Sequence, residues 1–103
     1  MLTARWLPIK RMQFEWDTKK AAANFKKHKV DIAEAETVFG DPLAKIFDDD
    51  AHSVDEKREI IVGHSFKNRI LLVSFTEREN DTVRIISARL PTSQERKDYE
   101  NAG

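Results

Sequence analysis

The chain is 103 residues long, 35% charged, and holds no cysteine, with 18 basic residues balancing 18 acidic ones. That length supports one domain with one modest core, and the missing thiol excludes disulfides, zinc–thiolate sites and cysteine nucleophiles. Overall neutrality argues against a uniformly basic nucleic-acid binder, yet residues 1–40 are net basic and residues 41–60 net acidic.

Met1–Arg11 is basic and lacks the long apolar segment of a secretory signal. It reads as a disordered extension, with residues 12–103 as the domain and Met12 as an alternative start. The segment Met12–Trp16 alternates apolar and polar residues, a strand signature. Asp17 is a natural N-cap for a helix over about Thr18–Lys29, which is strongly basic through Lys19, Lys20, Lys26 and Lys27. Asp31 starts a second helix, with Glu34 three residues on in a capping-box spacing. Ile32, Ala35, Val38 and Phe39 recur at helical spacing, and Gly40 stands where a C′ glycine is expected.

Strands follow. Leu43–Phe47 is short and apolar, and the acidic stretch Asp48–Asp55 reads as a loop. Glu59–Val62, Ile70–Phe75 and Thr82–Ala88 are strand candidates separated by the turns Phe66–Arg69 and Glu79–Asp81. Thr92 and Glu95 form a second capping box, opening a helix to about Asn101. Helices bunched ahead of hairpin-linked strands indicate an α+β fold: a small antiparallel sheet of about five strands, two N-terminal helices and one C-terminal helix. The longest apolar run, Ile70–Val73, is far short of the ~20 residues of a spanning helix. No membrane association is expected, and a cytoplasmic location fits.

Several stretches, taken together, resemble a known family. Phe14-Glu-Trp-Asp17, Lys20, Asn24, Lys27-His28 and Val30 are followed by Ala35, Val38-Phe39 and Asp41-Pro42. His52-Ser53, Glu56, Arg58 and Gly63 come next, then Arg84–Arg89, Glu95 and Tyr99. In this order and spacing the chain is similar to the BrnT toxins over about Met12–Glu100. The resemblance implies a RelE-like fold and an RNA-cleaving toxin of a type II toxin–antitoxin pair. It also implies a BrnA-type antitoxin with a ribbon-helix-helix DNA-binding portion, operator DNA being reached only through that antitoxin.

Metal-free RNA cleavage by 2′-OH attack needs a base, an acid and fixed cations around the phosphoryl oxygens. Arginine suits the last task because its planar fork spans two phosphate oxygens. Arg84 and Arg89 flank an apolar strand, but five positions on a regular strand send them to opposite faces unless the strand ends or bulges near Arg89. Arg89 is the candidate phosphate ligand at the strand's end; Arg84 serves equally as a salt-bridge partner. Glu56 and Arg58 share a face if a strand begins there, pairing a base with its electrostatic partner, or else forming a surface ion pair. His52, in a polar loop, is the candidate acid–base imidazole. Tyr99 shares a helix face with Glu95 and is read either as a base- or phosphate-contacting group or as an anchor. Lys19, Lys20, Lys26 and Lys27 are candidates for tracking an RNA backbone or receiving an acidic antitoxin segment.

No cofactor is expected. Asp48, Asp49, Asp50 and His52 match no calcium loop, for want of the turn glycine and terminal Glu. The competing readings are a non-catalytic module acting with a ribbon-helix-helix partner in transcriptional autoregulation, and a metal-dependent nuclease using the acidic loop.

Overall fold

The computed structural model describes Leu2, Thr3 and residues 12–102; the expected extension falls largely outside them. The elements are β1 (Leu2–Thr3), β2 (Gln13–Glu15), α1 (Thr18–His28), α2 (Ile32–Val38), β3 (Lys45–Asp48), β4 (Glu59–His64), β5 (Ile70–Arg78), β6 (Thr82–Arg89) and α3 (Ser93–Asn101). A short 3₁₀ turn at Asp50–His52 interrupts the acidic loop.

Among the described residues the strands form one sheet in the order β1-β3-β4-β5-β6-β2. The α+β expectation holds, with one refinement. The sheet is mixed, because β2 lies parallel to β6, pairing Phe14 with Val83. The helical excursion through α1 and α2 separates β2 from the other strands, so no tight turn forces it antiparallel.

Period-two alternation gives the sheet two buried faces. Ile61, Leu71, Val73, Phe75, Val83, Ile85 and Ala88 point to one side and pack on Val30, Ile32, Ala35, Val38 and Phe39. Phe39 is the centre of an aromatic stack, 5.2 Å from the Phe14 ring and 5.1 Å from Phe75. The other side carries a smaller cluster, Val62, Ile70 and Leu72 with Tyr99 of α3, flanked by Phe47 and Ile60. Helix α3 covers only part of that side, and the uncovered part becomes the site described below.

Helix ends follow local chemistry, with two departures. Asp17 caps α1 by accepting the Lys20 N–H, which holds its carboxyl below the usual range. Lys29 closes that helix in the left-handed region. Asp31 caps α2 through the Ala33 N–H, but Glu34 does not complete a capping box. Its carboxylate is buried, accepting two bonds from Arg69 (2.6 and 2.8 Å) and one from Ser65 (2.6 Å). Gly40 has no positive φ; α2 ends in tightened i to i+3 bonds, Phe39 to Glu36 and Gly40 to Thr37.

Asn24 joins helix to sheet. It is buried, donates to the carbonyls of Val30 and Ala88, and accepts the Ala88 N–H. Gly63 is required by close approach: a Cβ there would lie 2.7 Å from the Ala44 Cβ and 2.9 Å from an Asp41 carboxylate oxygen.

Candidate active site

Strand β6 does not stay regular. Ser87 pairs with Ser74 and Ile85 with Phe75, leaving Ile86 as an extra, unpaired residue. Such a bulge shifts the alternation by one position. Val83, Ile85 and Ala88 therefore all remain on the helix-packed face, while Ile86, Ser87 and Arg89 open onto the other. The bulge puts Arg84 and Arg89 on the same face of the sheet, as the sequence spacing alone does not.

On that face lies a cleft of about 390 Å³. Its floor is Ile60, Leu72, Ser74 and Ser87; Arg58, Arg89, Asp49, His52 and Glu95 stand around it. Three of the residues singled out from sequence thus share one depression: His52, Arg58 and Arg89.

Arg58 enters from the residue before β4, continuing the Ile60 and Val62 side of that strand. Ser53 fixes its backbone, accepting the Arg58 N–H at 2.9 Å and donating to the Asp49 carbonyl at 2.7 Å. The Asp49 N–H in turn donates to the Arg58 carbonyl. The acidic loop is therefore a closed structure that ties His52 to Arg58. The Nε of Arg58 is buried and has no hydrogen-bond partner among the described residues. An unmade bond of this kind costs about 1–3 kcal/mol.

The His52 ring lies with Nδ1 at 3.0 and 3.1 Å from the two Asp49 carboxylate oxygens. Asp49 is mostly covered and His52 mostly exposed. A carboxylate on Nδ1 fixes the tautomer and leaves Nε2 free to take up a proton. The imidazole was legible in the sequence; the orienting role of Asp49, three residues before it, was not drawn from that spacing.

Arg89 is already engaged. Its Nη1 and Nη2 donate to the two Glu95 oxygens at 2.7 and 2.9 Å, and Nη1 also reaches the Leu90 carbonyl. Two of its five N–H groups, on Nε and Nη2, have no partner among the described residues. Glu95 also completes the capping box of α3, accepting the Thr92 N–H. The two Arg89 bonds above all hold its carboxyl down to about 2, and raise the Arg89 pKa in return. Glu95, read in the sequence as a helix cap, is also a wall of the cleft.

The remaining candidates lie elsewhere. Strand β4 begins at Glu59, so Glu56 and Arg58 do not share a strand face; Glu56 faces Arg78 at 3.9 Å. Arg78 also approaches Glu15 at 3.6 Å, and Arg84 meets Glu15 at 3.3 Å. Glu56 and Arg84 thus belong to an ion-pair network at the far end of the sheet. Tyr99 is buried against Val62, Ile70 and Leu72, with Lys45 over its ring and bonded to its carbonyl. Burial raises its phenol pKa. Lys19, Lys20, Lys26 and Lys27 ride on α1, which Asn24 fastens to the sheet face away from the cleft. Among the described residues no three His, Asp or Glu side chains gather as a set of metal ligands, and no helix is long and apolar enough to cross a membrane.

Comparison with known proteins agrees with this architecture. A family model described as "Ribonuclease toxin, BrnT, of type II toxin-antitoxin system" matches residues 16–95. A solved structure, the Brucella abortus ribonuclease toxin BrnT, is similar with a TM-score of 0.62 and 26% identity, over 80% of this chain and 99% of that one. No curated protein matches. The motifs, the mixed sheet with its α3-flanked cleft, and a family match spanning most of the domain lead to one assignment: the chain belongs to the BrnT family of type II toxin–antitoxin ribonuclease toxins.

Proposed function

We propose that this protein is an endoribonuclease toxin that cuts RNA by 2′-OH attack, without a metal, in the cleft between the acidic loop and α3. The observation that carries the reading is the convergence of the Asp49–His52 pair, Arg58 and Arg89 on one depression. His52 Nε2 accepts the 2′-OH proton, the 2′-oxygen bonds to phosphorus, and the P–O5′ bond breaks. The products are a 2′,3′-cyclic phosphate and a 5′-hydroxyl, the latter protonated from solvent at the open mouth of the cleft. The guanidinium groups of Arg58 and Arg89, which line the cleft, meet the charge that builds on the phosphoryl oxygens.

A BrnA-type antitoxin with a ribbon-helix-helix portion neutralises the toxin in the cytoplasm, and operator DNA is bound only through it. The lysines of α1, lying off the cleft, suit a partner or a distal RNA segment and do not contact the scissile phosphate. Purified protein incubated with RNA in excess EDTA tests the reading: cleavage to cyclic-phosphate ends supports it, and cleavage abolished by EDTA sinks the metal-free step.

One observation favours a second reading, a non-catalytic module working through a DNA-binding partner. Glu95 neutralises Arg89, so the cleft is less cationic than its arginine count suggests. Intact RNA and normal growth on induction would decide for it.

A further inference from the structure

Beside the cleft, and sharing Ile60, Leu72 and Glu95 with it, is a second hollow of about 120 Å³. It lies between α3 and the sheet, lined further by Phe47, Val62 and Asp98. The volume is too small for a drug-sized ligand and is of the scale of one planar heterocycle. Its walls are apolar, one of them an aromatic ring, and among the described residues its rim carries carboxylates and no cation.

The two carboxylates are not equivalent. Both Glu95 oxygens accept from Arg89, and one also accepts from Thr92. Asp98 accepts a single bond, from Gln94 to Oδ1, one turn earlier on the same helix. Among the described residues, its Oδ2 and the second lone pair of Oδ1 have no partner. A carboxylate is an acceptor only, so it selects a ligand that presents donors.

We infer that this hollow is the subsite for the base of the nucleotide whose 2′-OH attacks, and that Asp98 makes it selective for guanine. The inference rests on the cleavage reading given above. Bases freed from a helix are recognised by stacking and by hydrogen bonds to their Watson–Crick edge. Only guanine offers two adjacent donors there, N1–H and N2–H, matching two carboxylate oxygens. Adenine and cytosine offer one amine beside an acceptor, and uracil one N–H between two carbonyls that the carboxylate repels. Phe47, Ile60 and Leu72 supply the apolar surface for the ring. The charge layout fits: the arginines and His52 serve the phosphate end, and Asp98, whose Oδ2 has no partner among the described residues, serves the base end.

The test is titration of the full chain with 3′-GMP and 3′-UMP, followed by amide NMR, beside sequencing of RNA cut ends. The expected result is binding of 3′-GMP about tenfold tighter than 3′-UMP, shifts at Phe47 and Asp98, and cuts that follow guanosine. Asp98→Asn, an exposed substitution, should bring the two nucleotides to within about twofold, since one oxygen becomes a donor. Equal binding of both nucleotides by the wild type, or an unchanged preference in Asp98→Asn, overturns the subsite. Cleavage without base bias then leaves the ribonuclease reading standing, whereas guanine-selective binding without any cleavage removes that reading and keeps the hollow only as a guanine-binding site.

Discussion

Asp49 holds the Nδ1 of His52 from 3.0 Å, and Ser53 closes the loop that presents them. The pair is built from local sequence, yet it faces Arg58 from the residue before β4 and Arg89 from the end of β6. Asp49→Asn would give the ring a neutral amide partner, with its tautomer no longer set by a carboxylate. His52→Ala should lower RNA cleavage by about 10²-fold or more, the usual size of a general-base contribution, and Asp49→Asn by a smaller factor. Rates on a short RNA measure both; full activity in His52→Ala would remove the imidazole from the mechanism.

Arg58 and Arg84 should respond differently. Arg58→Ala removes one of the two guanidinium groups that line the cleft and should cost about 10²–10³-fold in turnover. Arg58→Lys should recover little, because an ammonium lacks the planar fork. Arg84→Ala and Glu56→Gln disturb only a half-exposed network with Glu15 and Arg78, and should change turnover by less than about threefold. The reverse pattern would move the active site to the far end of the sheet.

The Arg89–Glu95 pair sets a pH dependence of stability. Glu95 is held at about 2 in the folded chain, chiefly by Arg89, against an ordinary 4.5. Its folded pKa is depressed, so its contribution is complete above pH 4.5 and is lost as pH falls from 4.5 towards 2. With the pair about one-third exposed, solvent screening reduces that contribution to the order of 1 kcal/mol. Urea melts at pH 7 and pH 3 should show a smaller difference in Glu95→Gln than in the wild type.

Glu34 and Arg69 form the most deeply placed ion pair among the described residues, with the Glu34 side chain 1% exposed. Arg69 also donates to the Lys29 carbonyl, joining the end of α1 to the β4–β5 turn. Arg69→Ala leaves a buried carboxylate without its cation and should destabilise by about 3 kcal/mol. Cleavage per folded molecule should be unchanged, since both residues lie away from the cleft; thermal melts beside specific activity separate the two effects.

Asn24→Asp is a sharper test of the helix–sheet clasp. The Ala88 N–H keeps its acceptor, but the amide donor to the Val30 and Ala88 carbonyls is replaced by an oxygen facing them. Two buried carbonyls then lose their partner, at about 1–3 kcal/mol each. Because Ala88 precedes Arg89, hydrogen exchange at the end of β6 should accelerate as well.

Local signals carried most of the secondary structure. Asp17, Asp31 and Thr92 cap the helices they were read to cap, because a side-chain oxygen two or three residues from an open N–H acts without tertiary help. Short apolar segments bounded by turns likewise marked β4, β5 and β6, and the family motif marked His52, Arg58 and Arg89. What the sequence could not decide was companionship. Glu34 had the spacing of a cap and went to Arg69, since burial made a cation 35 residues away the better partner. Glu56 had the spacing of an Arg58 partner and turned to Arg78, because β4 starts at Glu59. The side of the sheet on which Arg89 emerges depended on one unpaired residue, Ile86. A bulge arises where two strands must both keep their apolar residues buried in a register that does not quite match, and that mismatch exists only once the strands have met.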